Sequence, residues 1–146
     1  MINHQKNIIL TGGLGFLGSF FSKMLIKKNF NLIIFNKIKP KTLIQKDIVQ
    51  ECFLFKQLDI SNEKKVYEFY QELKSKKVSI NYLINNAAID SVPKKNQKKN
   101  HLPSVKIWDE EIGVSLTGSY LMIKYFGEDM LKRNFGKIVN IGSDLS

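Results

Sequence analysis

The sequence predicts an α/β protein in which a doubly wound parallel sheet is covered by helices on both faces. Five short apolar runs alternate along the chain with segments whose apolar residues recur at helical spacing. Strands that are separated by helices pair in parallel through right-handed crossovers, and these place helices on both sides of the sheet. The 146 residues are about the length of one domain, and no linker or internal repeat divides them.

The first half of the chain predicts three strands joined by two helices. The run from Asn7 to Thr11 predicts the first strand. Apolar residues at helical spacing predict a helix after it: Leu17, Phe20, Phe21, Met24 and Leu25. Residues 32–35 are continuously apolar, which is typical of a strand covered on both faces. A weaker helix is expected between Pro40 and Gln50, and residues 53–58 predict the third strand.

The second half predicts two more strands and two more helices. Ser61 is a suitable N-cap for a helix whose apolar residues are Val66, Phe69, Tyr70 and Leu73. Residues 80–84 predict the fourth strand, and Ser104 is a suitable cap for a long helix over 104–133. The apolar residues of that helix form one stripe that we expect to face the core: Trp108, Ile112, Leu116, Ser119, Met122, Ile123, Phe126 and Met130. Residues 137–141 predict the fifth strand, which gives five strands and four main helices.

The composition fits an ordinary globular protein and argues against several other classes. With 43% hydrophobic and 25% charged residues, disorder and fibrous structure are poor fits. No apolar run approaches the roughly 20 residues of a membrane span, and the N-terminus lacks a signal-peptide pattern, so we expect a cytoplasmic protein with no membrane partner. The single cysteine, Cys52, and the isolated histidines, His4 and His101, have no metal-ligand spacing, so we expect no metal site.

The net charge of +10 raises the question of a nucleic-acid partner. Among the 23 basic residues only Arg133 is an arginine, the residue best suited to bidentate contacts with phosphates and bases. The lysines are spread along nearly the whole chain, which is typical of a solvated surface. We therefore expect no nucleic-acid partner, although residues 93–100 form a basic polar loop that suits an acidic ligand.

The turn after the first strand carries a glycine pattern. Gly13, Gly15 and Gly18 have G-x-G-x-x-G spacing where a strand meets a helix. We expect the first to allow the tight turn, the second to let a pyrophosphate approach the backbone, and the third to allow close packing. The alternative is a tight turn without a ligand. A Walker A loop is excluded because no Gly-Lys-Ser/Thr follows.

The end of the second strand carries the next cofactor signal. In dinucleotide-binding folds an acidic residue about 20 residues beyond the glycines binds a ribose 2′-hydroxyl. Here that position is Asn36, which can bind a hydroxyl but does not repel a 2′-phosphate, and Lys37 and Lys39 stand beside it. The sequence therefore favours NADP slightly over NAD. The alternative is that these lysines are ordinary surface charge.

Four motifs in order along the chain resemble those of the short-chain dehydrogenase/reductase family, and they cover almost the whole chain. They are Thr11-Gly12-x-x-Gly15-x-x-Gly18, Leu58-Asp59-Ile60, Asn85-Asn86-Ala87-Ala88 and Gly136-Lys137-Ile138-Val139-Asn140-Ile141-Gly142-Ser143. The resemblance implies a single Rossmann-like, NAD(P)-binding domain over residues 1–146. With the glycine pattern, it gives this expected cofactor site: Thr11, Gly12, Gly13, Gly15, Phe16, Leu17, Gly18, Asn36, Lys37, Asp59, Ile60, Asn86, Ala87 and Ala88.

The resemblance also implies roles for individual residues. Asp59 and Ile60 would lie along the adenine, and Asn86 and Ala87 would pass beside the cofactor ribose. Ser143 would be the active-site serine that hydrogen-bonds the substrate carbonyl or hydroxyl. These residues follow the carboxyl ends of strands, where open α/β sheets bind ligands. The alternative readings are a helix cap for Asp59 and an ordinary turn serine for Ser143.

The sequence departs from the family pattern at two positions. The asparagine that the family carries in the long helix is replaced by Ser115, which puts its proton relay in doubt. The family's catalytic Tyr-x-x-x-Lys pair would follow Ser143, but the sequence ends at Ser146. Tyr120 and Lys124 have the spacing but precede Ser143, so we expect them to be surface residues. We expect these 146 residues to be the N-terminal part of a longer domain, incomplete at the C-terminus.

By this resemblance the expected function is that of an NAD(P)-dependent oxidoreductase. It would transfer a hydride to or from a carbonyl or alcohol on a small-molecule substrate, and the glycine spacing and the ending over residues 142–146 resemble members that act on sugars or sugar nucleotides. The alternative is a non-catalytic dinucleotide-binding fragment that lacks the active-site tyrosine and lysine. Family members commonly form oligomers, which here would use the long helix over 104–133.

Overall fold

The computed structural model of the protein describes residues 6–89 and 104–142, and within them five strands alternate with four helices. The strands are β1 (Asn7–Thr11), β2 (Asn31–Asn36), β3 (Leu54–Gln57), β4 (Tyr82–Asn85) and β5 (Lys137–Asn140). The helices are α1 (Phe16–Lys27), α2 (Leu43–Glu51), α3 (Glu63–Ser75) and α4 (105–132). The predicted fold class is confirmed, and the elements differ from the predicted ones by a few residues at their ends.

The strands form one parallel sheet in the order β3-β2-β1-β4-β5. The chain runs outward from β1 to β3 and then returns to the other side of β1, so the order reverses between β1 and β4. The crevice at such a reversal, beyond the carboxyl ends of the strands, is where doubly wound sheets bind ligands. The register places Ile33, Ile9, Leu83 and Ile138 in one row across the sheet.

Two hydrophobic clusters cover the two faces of the sheet. Alternate residues of a strand point to opposite faces, so neighbouring strand residues join different clusters. Ile33 belongs to the cluster under α3 and α4, which includes Phe69. Ile34 belongs to the cluster under α1 and α2, which includes Leu25 and Ile48. The sheet is therefore covered on both faces, as the alternation of strands and helices predicted.

α4 is a continuous helix with two π-helical segments, Gly113–Gly118 and Ile123–Gly127. Its backbone keeps right-handed helical angles where the segments join, as at Ile112, with φ −63° and ψ −41°. Ser104 caps the helix as predicted, because its hydroxyl accepts the N–H of Ile107 at 3.3 Å. The cap and the unbroken backbone confirm one long helix here.

The single apolar stripe predicted for α4 is confirmed at Met122, Phe126 and Met130 and wrong at Trp108 and Leu116. The residues that α4 buries on the core are Val114, Leu121, Met122, Phe126 and Met130. Trp108 and Leu116, which the predicted stripe included, are 57% and 65% exposed. The predicted stripe combined apolar residues from two faces of the helix. The π-helical turns also shift the phase of the side chains, which a fixed helical period does not follow.

The N-cap of α3 is Asn62, and not Ser61 as the sequence predicted. The Asn62 side chain accepts the N–H of Lys65 at 3.0 Å. The Ser61 hydroxyl instead donates to Asp59 Oδ1 at 2.7 Å. Both residues are good caps, and the preceding carboxylate engages the serine, which leaves the cap to the asparagine.

Candidate cofactor site

A cleft of about 780 Å³ opens beyond the carboxyl ends of β1, β2, β3 and β4. Its walls are the loops that follow these strands, together with the start of α1, Gln45 of α2 and Val114 of α4. It brings together most of the predicted cofactor residues: Gly12, Gly15, Phe16, Leu17, Gly18, Asn36, Lys37, Asp59, Ile60, Asn86, Ala87 and Ala88. The other two, Thr11 and Gly13, are buried and do not line it.

The tight turn after β1 is made by Gly12, and not by Gly13 as predicted. Gly12 has a φ of +67°, in the left-handed region that favours glycine. Its N–H donates to the Phe35 carbonyl at 2.7 Å, and a Cβ here would lie only 2.9 Å from the Cα of Ala87. Gly12 therefore allows the turn and also lets the loops after β1 and β4 approach each other.

Gly13 instead packs the loop onto the sheet. A Cβ at this position would lie 2.8 Å from the Ile34 side chain. The Gly13 carbonyl accepts a hydrogen bond from the buried Ser22 hydroxyl of α1 at 2.9 Å. The glycine spacing did not distinguish these roles, because two adjacent glycines follow the strand and spacing alone does not show which has the positive φ.

The N-terminus of α1 borders the cleft, and its geometry suits an anion. Gly15 is the N-cap and has no side chain to accept the N–H groups of the first turn, which also lacks an acidic residue. Such N–H groups have no partner inside the helix, and the helix dipole adds positive potential there. At Gly18 a Cβ would overlap the Gly12 carbonyl oxygen, so only glycine lets α1 start this close to the loop. A phosphate or diphosphate matches this arrangement.

A buried threonine joins the loops on the two sides of the cleft. Thr11 is fully buried at the end of β1. Its Oγ1 accepts the N–H groups of Asn86 and Ala87, each at 3.0 Å. The Asn86 side chain also binds the loop after β1, because its Nδ2 donates to the Thr11 carbonyl at 3.0 Å and to the Gly12 carbonyl at 3.3 Å. Thr11 and Asn86 therefore fix the floor of the cleft.

Both polar atoms of the Asn36 side-chain amide form hydrogen bonds. Its Oδ1 accepts the N–H of Leu14 at 3.4 Å, and its Nδ2 donates to the Ile38 carbonyl at 2.8 Å. Sequence reasoning missed a second amide in the cleft, that of Gln45 of α2, which donates to the Leu14 carbonyl at 2.8 Å. The Thr42-x-x-Gln45 pattern at a helix start signals a capping residue, but it gives no sign of the contact with the loop.

Lys37 and Asp59 form an ion pair between the ends of β2 and β3. The lysine Nζ lies 2.8 Å from Oδ2, and Oδ1 accepts the N–H and the hydroxyl of Ser61. Burial alone would raise the pKa of the Asp59 carboxyl, but the hydrogen bonds from Lys37 and Ser61 outweigh burial and lower that pKa. The hydrogen bond and charge of Asp59 raise the pKa of Lys37. Asp59 is therefore held in its charged form, and it is not the cap of α3.

Two further lysines, Lys39 and Lys41, line the cleft. In the part of the chain that the structure describes, neither forms an ion pair. With Lys37, they face a single carboxylate among the described residues of the cleft wall, that of Asp59. The cleft therefore has a net positive charge, which attracts anionic ligands.

The predicted substrate serine, Ser143, and the basic loop over 93–100 lie outside the described residues. Ser115, at the position of the family's asparagine, lies on an exposed part of α4. Its carbonyl accepts the hydroxyl of Ser119 at 2.8 Å, and the adjacent residue, Val114, lines the cleft. Ser115 is thus next to the cleft without forming part of its wall.

Tyr120 and Lys124 do not line the cleft. Tyr120 is 60% exposed. Lys124 lies 2.8 Å from Glu63 of α3, whose carboxylate also accepts the Tyr125 hydroxyl at 2.8 Å. Hydrogen bonds from Lys124 and Tyr125 lower the pKa of Glu63. The lysine therefore links α4 to α3, which matches the expectation of a surface role.

Metal sites, membrane spans and reactive thiols are the other candidates within residues 6–89 and 104–142. In these ranges no group of three or more His, Cys, Asp and Glu side chains could hold a metal ion. No helix in these ranges combines the length and the apolar character of a membrane span. Cys52 is half-buried, and burial raises the pKa of its thiol, which makes it a poor nucleophile.

The reversed strand order, the glycine loop at the start of α1 and the cleft beyond the strands define a Rossmann-type α/β protein. The family model for short chain dehydrogenases matches residues 6–146, which is nearly the whole chain. The chain therefore belongs to the short chain dehydrogenase family, as the four sequence motifs predicted.

Individual relatives agree with this assignment. Over 144 residues the chain is 31% identical to a 3-oxoacyl-[acyl-carrier-protein] reductase of Buchnera aphidicola, with 97% of this chain and 56% of the relative covered. It superposes with a TM-score of 0.77, at 23% identity, on a Leptospira borgpetersenii short chain dehydrogenase solved with NAD+, covering 97% of this chain and 54% of that one. On a metagenomic short-chain oxidoreductase solved with NADP, the chain superposes with a TM-score of 0.75 at 19% identity. The match covers 95% of this chain and 62% of that one. The chain spans about half the length of the curated relatives it matches.

Proposed function

We propose that the protein is an NAD(P)-dependent oxidoreductase of the short-chain type and that the cleft holds its cofactor. The observation that carries this proposal is the α1 N-terminus, which presents uncapped N–H groups to a positively charged cleft at the strand reversal. Family membership supports the same reaction class. A bound nicotinamide would supply the hydride acceptor or donor for a carbonyl or alcohol substrate.

The residues of the cleft fit the parts of a dinucleotide in order. The backbone at Phe16 and Leu17 would hold the diphosphate, because the N–H groups at the start of α1 lack a side-chain cap. Asn36 would face the adenosine ribose, and the Asp59–Ile60 segment would lie along the adenine. Asn86 would pass beside the other ribose, on the floor that Thr11 fixes.

We favour NADP over NAD, because of the charges around Asn36. No acidic side chain follows β2 to repel a 2′-phosphate, and Lys39 and Lys41 line the cleft without an ion pair among the described residues. Lys37 is already engaged by Asp59, so we assign the 2′-phosphate to Lys39 and Lys41. Relatives are solved with either dinucleotide, NAD+ in one case and NADP in another.

The test is a titration of the protein with NADPH and with NADH, in which calorimetry measures the two affinities. We expect saturable binding of both dinucleotides, with a higher affinity for NADPH. The double variant Lys39→Gln/Lys41→Gln should weaken NADPH about tenfold and leave NADH nearly unchanged. Lys46→Gln, an exposed lysine of α2 shortly after these residues that does not line the cleft, is the control. An equal loss for both dinucleotides would contradict the 2′-phosphate assignment, and no binding of either would contradict the proposed function.

On the substrate side, we propose that Ser143 hydrogen-bonds the reacting oxygen and that Ser115 takes the place of the family's asparagine. We further propose a sugar or sugar nucleotide as substrate, on the glycine spacing of the loop. Oxidation of NADPH in the presence of carbonyl compounds tests the reaction. Binding of NADPH without turnover would assign the chain the alternative role, a dinucleotide-binding fragment without catalysis.

Three further statements stay predictions from the sequence. They are a cytoplasmic location, the lack of a nucleic-acid partner and an oligomer formed through α4. The exposed apolar residues of α4, Trp108, Leu116 and Tyr120, support the last of these. Sedimentation at several protein concentrations would test it, with Leu116→Ser expected to shift the protein towards the monomer.

A further inference from the structure

We propose that Gln45 is a positioning residue for the phosphate-binding loop, and that it couples the cap of α2 to the shape of that loop. The loop is the segment from Gly12 to Gly15, between β1 and α1. The inference rests on the proposed function, because it concerns how the cleft would receive a diphosphate. Gln45 is 31 residues away from its partner in the loop, Leu14.

The amide of Gln45 joins two structures at once. Its Oε1 accepts the N–H of Lys41 at 2.8 Å and the N–H of Thr42 at 3.2 Å, at the start of α2. The Gln45 N–H in turn binds the Thr42 hydroxyl at 3.2 Å, which completes a capping box. Its Nε2 donates to the Leu14 carbonyl at 2.8 Å. One half of the side-chain amide thus caps the helix and the other half holds the loop.

The loop bond lies on the peptide that orients the start of α1. The Leu14 carbonyl and the Gly15 N–H belong to one planar peptide, so a bond to the carbonyl also fixes the direction of the N–H. That N–H donates to the Gly12 carbonyl at 3.0 Å and closes the turn. Gly15 is the N-cap of α1, and the next N–H groups face the proposed diphosphate position. Gln45 therefore acts on the diphosphate through this peptide.

The loop needs such a fixed point because its backbone is rich in glycine. Gly13 and Gly15 flank Leu14, and glycine backbones have more accessible conformations than those of other residues. The Leu14 side chain is buried, and its N–H donates to Asn36 at 3.4 Å. The 2.8 Å bond from Gln45 holds the carbonyl of the same residue. Loss of that bond would leave the peptide held on one side only.

Two substitutions separate the cap from the loop bond. Gln45→Glu keeps an acceptor for the Lys41 and Thr42 N–H groups but has no N–H to donate to Leu14. Thr42→Ala removes the other half of the capping box and leaves the Gln45 amide intact. Thr42 does not line the cleft, so it is the matched control. Gln45→Ala removes both contacts of the side chain.

The measurement is the affinity for NADPH and for adenosine, well below the thermal midpoint of each variant. Gln45→Glu and Gln45→Ala should weaken NADPH about five- to tenfold and leave adenosine, which lacks the diphosphate, nearly unchanged. For Gln45→Glu the loss should persist at high salt, where repulsion between the new carboxylate and the phosphates is screened. Thr42→Ala should lower the thermal midpoint without changing either affinity. Equal weakening by Thr42→Ala and Gln45→Ala would reduce Gln45 to a helix cap and overturn the inference.

Amide exchange in the absence of any dinucleotide keeps the inference separate from the proposed function. Exchange at Gly15 should be faster in both Gln45 variants than in the wild type and unchanged in Thr42→Ala. If the wild type bound no dinucleotide while this exchange pattern held, the proposed function would fail and the positioning of the loop would stand. If the wild type bound NADPH and both Gln45 variants matched it in affinity and exchange, the inference would fail and the proposed function would stand.

Discussion

β2 and β5 have similar apolar sequences and very different surroundings. In β2, Leu32, Ile33 and Ile34 are each 0% exposed, whereas in β5 Ile138 is 36% and Val139 is 49% exposed. β2 lies between β1 and β3 and is covered on both faces. β5 pairs with β4 on one side only, among the residues that the structure describes. An apolar run thus predicts a strand, but its burial depends on its neighbours.

The cofactor part and the substrate part of the expected site lie at strands that differ in the same way. The loops after β1, β2, β3 and β4 surround the cleft, and the side chains of Thr11, Asn36 and Gln45 and the Lys37–Asp59 ion pair join them. The strand that leads to the predicted serine, β5, is exposed along its whole length within the described residues. The proposed cofactor contacts are therefore built on the packed side of the sheet.

The largest expected effect on stability comes from a comparison of two isoleucines in the same row of the sheet. Ile33 of β2 is fully buried, and Ile138 of β5 is 36% exposed. Ile33→Ala should lower the free energy of unfolding by about 4 kcal/mol, because it leaves a cavity in the core. Ile138→Ala should cost about 1 kcal/mol, since less buried surface is lost. Urea unfolding of both variants checks this, and equal losses would show that β5 is covered in solution.

A similar contrast applies to two glycines. A Cβ at Gly18 would overlap the Gly12 carbonyl, whereas none of the residues that the structure describes lies within 4 Å of a Cβ at Gly142. Gly18→Ala should cost about 3 kcal/mol, since α1 or the loop must move, and should also weaken NADPH binding. Gly142→Ala should change stability by less than about 0.5 kcal/mol. Chemical denaturation and calorimetry measure both effects, and a Gly18→Ala protein with normal stability would contradict the observed packing.

The hydroxyl of Thr11 offers a smaller test of the floor of the cleft. Thr11→Val keeps the shape of the side chain but leaves the N–H groups of Asn86 and Ala87 without their acceptor. We expect a loss of about 2 kcal/mol in the free energy of unfolding. Thr11→Ser, which restores the acceptor, should recover much of it. A Thr11→Val variant as stable as the wild type would show that the Thr11 hydroxyl does not stabilise the floor of the cleft.

The smallest effect is a dependence of stability on pH. The pKa of Asp59 is lower in the folded protein than in the unfolded chain, so the group stabilises the fold above its ordinary pKa of about 3.9. That stabilisation is lost as the pH falls through the lower folded value. The wild type should thus exceed Asp59→Asn in thermal midpoint near neutral pH, and the gap should close on acidification. A gap that does not change with pH would contradict the ion pair with Lys37.

The fold was predictable because its signals are local and repeated. The apolar runs and the helical periods between them gave all five strands and four helices, and glycines marked the loop. Other features depend on contacts that a linear pattern does not contain. The sequence did not distinguish Gly12 from Gly13 in the turn, or Asn62 from Ser61 at the cap, because neighbouring residues had equal propensity. The apolar pattern of α4 likewise did not separate the buried Met122 and Phe126 from the exposed Trp108 and Leu116.

The site was predictable only as a set of residues. The motifs named most of the cleft wall, yet the contacts between its parts connect residues far apart in sequence. Gln45 reaches Leu14 across 31 residues, and Lys37 reaches Asp59 at the end of a different strand. Neither contact has a short-range signature, so both required the structure.

The most direct test of the central claim is backbone amide chemical-shift mapping during a titration with NADPH. We expect the largest shifts at Gly15, Phe16 and Leu17, where the diphosphate would meet the start of α1, with smaller shifts at Asn36. The distant C-terminal end of α3, near Ser75, should not respond. Unchanged amides at the start of α1, with shifts spread over the lysine-rich surface instead, would contradict a cofactor site in this cleft.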